Sequence, residues 1–277
     1  MLPIETDGAE ILVDPPLARR VAERHSGADG CHRDEPVGFA AGDQVGLVEA
    51  VCLIRRRRPD AGRAGWSAMA KGPVPRAQVG ALGLVGDRQA DRDHHGGPDK
   101  AVYAMDAAEV DHWLAVMPGL QVGGMGENLT IRSAAGSQTG IDDLELGARL
   151  WVGPAETFPG ASRPWQRTCG LVLRVTGVRN PCPTFARGMG RGDWIQVFSA
   201  RNRVGVYFAV EAEGTVTAGS EVRVWTTPGH GVSCRRWFAH HDPRDAQALL
   251  AAESAGRMVL AGFTRAYVVA AADPDSG

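Results

Sequence analysis

From Gln44 onward the chain is built of short apolar or alternating runs divided by glycine: 44 to 54, 79 to 85, 128 to 132, 149 to 152, 170 to 178, 204 to 210 and 220 to 225. Many strand-length runs with frequent turn residues predict a mainly β fold, a barrel or a sandwich. The 36 glycines are spread along the chain, as tight turns between strands require. Two stretches carry the helical period instead. Asp106 to Glu109 offer an N-cap and an N3 acid, Val110, Trp113, Leu114 and Met117 share one face, and Pro118-Gly119 stops the run. Asp242-Pro243 opens a second helix over Ala246 to Glu253, with proline at its first position. Both are expected to pack outside the sheet. Residues 1 to 43 lack this texture; they are polar, contain Gly and Pro, and hold one short helical stretch around Leu17 to Arg24. The expected organisation is an N-terminal extension, 1–43, and one domain, 44–277, with a helical tail at about 231–260.

Composition narrows the functional classes. A length of 277 residues allows a substantial core, and a net charge of -2 gives no global attraction to nucleic acid or acidic lipid. The longest basic run, Arg55 to Arg58, reads as a solvated loop end. No segment approaches 18 consecutive apolar residues, and the N-terminus has acids where a secretory signal has bases. Five cysteines, Cys31, Cys52, Cys169, Cys182 and Cys234, form no C-x-x-C pair, which argues against a disulfide framework or a structural zinc site and for a reducing cytoplasm. His25, Cys31 and His32 match no standard metal-site spacing. Lys71 and Lys100 are the chain's only lysines.

Three segments carry chemistry. In Arg179-Asn180-Pro181-Cys182-Pro183 a thiol leaves an apolar strand between two prolines, which cannot continue a ladder and display the sulfur. A guanidinium three residues away favours the thiolate, the form that attacks electrophiles and ligates metals. The run Gly86 to Lys100 crowds Arg88, Asp91, His95 and Lys100 around Gly96-Gly97, where backbone can approach an anion such as phosphate. Gly126-Glu127-Asn128 places an acceptor and a donor-acceptor after a glycine turn, suited to the edge of a heterocycle, and without the spacing of a dinucleotide fingerprint.

Taken in order, Gly83 to Arg88, His95 to Val102, Trp113, Gly126 to Thr130, Arg179 to Cys182 and Arg203 to Tyr207 resemble the MOSC domain, the family named after the C-terminal domain of molybdenum cofactor sulfurase. The resemblance covers about 44 to 226, with a tail like that of stand-alone bacterial members. It implies a mixed-strand β-barrel of the pyruvate-kinase-barrel-like type with peripheral helices, and a cleft for the molybdenum cofactor. It also implies Cys182 as the thiolate ligand to molybdenum, with Arg179 and His95 beside it in catalysis. Arg88, Asp91, His95, Gly96, Gly97, Lys100, Gly126, Glu127, Asn128, Arg179 and Asn180 would bind the cofactor. The activity implied is reduction of N-hydroxylated small molecules, with electrons from a separate donor protein and with neither nucleic acid nor membrane as partner; a homodimer is compatible. An extra stretch, 154 to 170, containing Trp165, Arg167 and Cys169, departs from the family pattern. It keeps two alternatives open: a molybdenum-free sulfur-transfer or C–S bond enzyme using Cys182 as persulfide or nucleophile, and a non-catalytic carrier of the cofactor.

Overall fold

The computed structural model describes residues 38–90, 96–158, 160 and 170–273. Its strands are β1 (Gln44–Ile54), β2 (Arg58–Pro59), β3 (Trp66–Ser67), β4 (Lys71–Val74), β5 (Arg76–Gly80), β6 (Gly83–Leu84), β7 (Val102–Asp106), β8 (Leu129–Arg132), β9 (Arg149–Gly153), β10 (Leu171–Val178), β11 (Val206–Ala212), β12 (Gly214–Thr217) and β13 (Glu221–Thr226). Seven of them hydrogen-bond in the order β13-β9-β10-β11-β7-β8-β1, and β1 returns to β13 to close the ring. Closure removes the exposed edges that an open sheet of this size would present. The β7–β8 pair is parallel and the other ring pairs are antiparallel, so the barrel is mixed. Strand β1 is long enough to pair with β13 through Gln44–Leu47 and with β4 through Val51–Ile54.

Six helices surround the barrel among the described residues: α1 (Ala107–Val116), α2 (Pro183–Met189), α3 (Trp194–Ala200), α4 (Cys234–His240), α5 (Pro243–Ser254) and α6 (Gly262–Ala272). Helix α1 lies where the sequence predicts it, and Asp106 caps it by accepting from the Ala108 amide at 2.8 Å. Helix α5 begins at the predicted proline, with Asp242 accepting from the Arg244 amide at 2.7 Å. Strands β1, β8, β9, β10, β11 and β13 fall within two residues of the predicted runs. None of the helices is long and apolar enough to cross a membrane.

The barrel interior is lined by buried aliphatics such as Val48, Leu129, Ile131, Leu150, Val175 and Phe208. A second cluster pins α2 and α3 to α1. Trp113 and Trp194 meet at 4.6 Å between ring centroids, Phe185 and Trp194 at 5.3 Å, and Phe185 and Phe198 at 5.0 Å. Edge-to-face contacts of this kind add to area burial. Arg201, just past α3, donates to the buried carboxylate of Glu109 on α1 at 2.6 Å and ties the same elements together. This cluster fixes the segment that leaves β10, where the chemistry gathers.

Candidate functional site

Strand β10 ends at Val178, and the four residues after it build the first half of the site. Pro181 and Pro183 end the ladder as expected, but the chain turns into a helix rather than a loop. Cys182 is extended, at φ -131 and ψ 168, and Pro183 sits at the first position of α2. The Cys182 thiol is half-buried, whereas Cys52 and Cys234 are fully buried. Burial pushes the Cys52 thiol up to about 12 and the Cys234 thiol well above its usual range. Among the described cysteines, Cys182 is the one a solute can reach. Asn180 is half-buried beside it.

Arg179 is buried and reaches inward. Its guanidinium lies 3.6 Å above the Phe185 ring and 4.7 Å from the Tyr103 ring, and Nη1 donates to the Met125 carbonyl at 2.6 Å. Tyr103 and Tyr207 pack at 5.1 Å, and the Lys100 ammonium lies 5.8 Å from the Tyr207 ring and 4.3 Å from that of Phe263. Arg179 and Lys100, far apart in sequence, are thus joined through two tyrosines. A guanidinium held by π faces and one carbonyl keeps its charge, which is available to an anion nearby.

The Gly123–Glu127 turn forms the other half. Gly126 has φ +90, open to glycine at little cost, and an added Cβ would meet Met69 at 3.3 Å. Glu127 is fully buried; Oε1 accepts from the Gly123 amide, and Oε2 has no hydrogen-bond partner among the described residues. Burial raises its pKa, against the opposing pull of Lys71 and Arg179. Asn128 is a strut: Nδ2 donates to the Asp87 carboxylate at 2.7 Å and to the Cys52 carbonyl at 3.3 Å, and Oδ1 accepts from the Tyr103 amide at 3.2 Å. Asp87 also takes the Lys71 ammonium at 2.8 Å.

Gly96 and Gly97 are held against Gln89, whose Oε1 accepts from the Gly97 amide at 2.9 Å and whose Nε2 donates to the Lys100 carbonyl at 3.1 Å. An added Cβ at Gly96 would strike the Gln89 side chain at 2.4 Å. Arg88 is exposed next to this loop. Asp91 and His95 lie outside the described residues, as do Cys169, Trp165, Arg167, His25, Cys31, His32 and the predicted Leu17–Arg24 stretch. Sequence reasoning did not single out Met69, Tyr103, Asp87 or Gln89 for the site. Lys71 carried a signal, being one of two lysines.

The profile of the family described as "MOSC domain" matches residues 91–223, which span the Lys100 loop, the Glu127 turn, Arg179 and Cys182. Residues 91–223 match the MOSC domain. In solved structures the fold is similar to YiiM from Geobacillus stearothermophilus, with TM-score 0.56 and 19% identity over 80% of this chain and 97% of that one. YiiM from Escherichia coli gives TM-score 0.54 and 17% identity over 83% and 95%. In sequence the chain is 27% identical over 169 residues to the uncharacterized protein YflK of Bacillus subtilis (strain 168). That match spans 59% of this chain and 66% of YflK, just under two thirds of the relative's length. MOSC domains are associated with binding of the molybdenum cofactor.

Proposed function

We propose that this protein binds the molybdenum cofactor through Cys182 and reduces N-hydroxylated small molecules with electrons from a separate donor protein. The observation that carries the reading is the half-buried Cys182 thiol leaving β10 beside the buried Arg179 guanidinium. The donor set fits the group. Among the described residues no three His, Cys, Asp or Glu side chains gather to hold a metal ion, and one soft thiolate suits a metal that arrives with sulfur ligands of its own. The orphaned Oε2 of Glu127 is a further polar group without a protein partner among the described residues. When bound, the cofactor supplies a two-electron redox centre for cleaving an N–O bond.

The chain's own residues supply the rest. Arg179 holds a fixed positive charge three residues before Cys182, clamped by Phe185, Tyr103 and the Met125 carbonyl. Glu127 keeps a proton to higher pH than an exposed carboxylate, and in that form can donate from Oε2. Lys100 and Arg88 flank the Gly96-Gly97 backbone as a place for the cofactor phosphate, and His95 and Asp91 are assigned to it by the family resemblance alone. Gly126 leaves room beside Arg179 for the pterin.

The test is metal and pterin content of protein from a molybdenum-replete host, wild type against Cys182→Ala. Near-stoichiometric molybdenum in the wild type, lost in the variant, is the expected result. A molybdenum-free wild type carrying cyanolysable sulfur would establish sulfur transfer instead. Bound cofactor without hydroxylamine reduction under artificial electron supply would leave a carrier.

A further inference from the structure

The arginine run 55–58 is the exposed loop end after β1 that its sequence suggests, and it also shapes a surface cleft. Arg55, Arg56 and Arg58 line one cleft of about 330 Å³, together with Lys71, Gln121, Gly124 and the Gly188-Met189 end of α2. Arg57 is absent from the lining and stacks on Trp66 at 4.6 Å. The three lining arginines have no carboxylate in ion-pair range among the described residues. Arg55 donates to the Pro73 carbonyl, and the acid that follows them in sequence, Asp60, is already held by Arg187 at 2.8 Å. The charge on Lys71 is matched by Asp87. Counted over the described residues, the cleft therefore holds about three uncompensated positive charges, in a chain whose net charge is -2. Like charges in one concavity repel one another unless an anion enters, and walls of low dielectric focus their field on that anion.

We propose that this cleft is a subsite for a phosphate or diphosphate group carried by the substrate, separate from the cations around Lys100. Guanidinium forks match phosphate oxygens in pairs, and three forks suit a diphosphate better than a carboxylate, which two would saturate. The cleft's volume is within the range that holds a small ligand. Its far wall is the C-terminal end of α2, the helix that Cys182 opens, so a substrate anchored here lies against the same helix as the thiol. The inference deepens the proposed function by naming a substrate class, and rests on it only for calling the ligand a substrate.

The test is calorimetric titration of the full chain with inorganic pyrophosphate, in wild type and in the double variant Arg56→Ser, Arg58→Ser, each made in molybdenum-replete and molybdenum-free hosts. Both side chains are exposed, so the fold is expected to survive, as circular dichroism would verify. Wild type should bind equally in both preparations, and the double variant at least about tenfold more weakly, the loss expected for charge-assisted contacts. Wild type that ignores pyrophosphate, or a variant that binds as well, overturns the proposal. Binding confined to cofactor-free protein would assign these arginines to the cofactor's own phosphate and overturn a separate subsite. If neither preparation contains molybdenum, the cofactor reading fails while the pyrophosphate result still decides the subsite.

Discussion

Replacing Trp194 with alanine is expected to cost about 3–5 kcal/mol of stability, the range for deleting a large buried aromatic. Trp194 is fully buried and touches the rings of Trp113, Phe185 and Phe198 at 4.6, 5.3 and 5.3 Å. Its indole nitrogen has no partner, so the loss is one of packing rather than of a hydrogen bond. The damage should reach the site. Phe185 sits between this cluster and the Arg179 guanidinium, and it lies one turn into the helix that Cys182 begins. Alkylation of Cys182, followed by peptide mass, should accelerate in Trp194→Ala along with the fall in the denaturant midpoint. Trp194→Phe keeps a ring in place and should cost only about 1–2 kcal/mol. An alanine variant with the wild-type midpoint and wild-type alkylation rate would show that the cluster does not hold the Cys182 segment.

What could be read from the chain follows from the range of the interactions concerned. Strand β1 was legible because 44–54 is a strand-length apolar run that ends at Arg55, although register shifts at Gln44–Gly46 and Val48–Ala50 interrupt its alternation. Strand β7 was not. All five of its residues are buried, so it has no alternation to read, and it follows directly on the charged Gly86 to Lys100 segment. Helices α2 and α3 have seven residues each, too few for a period to emerge, and the prolines that signalled the end of β10 concealed a helix start. In the site, Arg179 and Cys182 are neighbours in sequence and were found together. The Lys71–Asp87–Asn128 network joins residues 16 and 41 positions apart, which meet because β4 and β8 both pair with β1 and the Ile54 amide at its end donates to Asp87. Of the 154–170 stretch, 154–158, 160 and 170 are among the described residues. Its described flanks, Phe158 and Gly170, adjoin the start of β10, and Cys182 follows the other end, about 23 Å away along the strand. Phe158 packs on Trp151 and Trp225.

Asp142→Asn is expected to stabilise the protein at neutral and alkaline pH while leaving it unchanged in acid. Asp142 is buried; Oδ1 accepts from the Gly205 amide at 2.9 Å, and Oδ2 has no partner. Gly205 belongs to the turn entering β11, at φ +78, where an added Cβ would lie 2.5 Å from the Ala104 carbonyl, so this backbone cannot retreat from the acid. Burial raises the Asp142 carboxyl from 3.8 to about 7, with the neighbouring Asp106 and Asp143 adding to the rise and Arg203 opposing it. The direction of the effect follows from proton counting. Between those two values the unfolded chain has released the proton that the folded chain retains, so the contribution of Asp142 to stability is greatest below pH 3.8 and is lost as pH rises through about 7. At about 1.4 kcal/mol per unit, the folded state gives up as much as about 4 kcal/mol across that window. Asparagine keeps the acceptor for Gly205 and never ionises. The difference in unfolding free energy between variant and wild type should therefore be near zero at pH 4, grow through pH 5 to 7, and level off above. A difference that is the same at pH 4 and pH 8 would show that Asp142 does not titrate in this window. An acid retained at such a cost, with a free oxygen and the Arg203 to Tyr207 segment resting on it, is a structural expense on the segment that supplies Tyr207 to the ring contacts of Lys100.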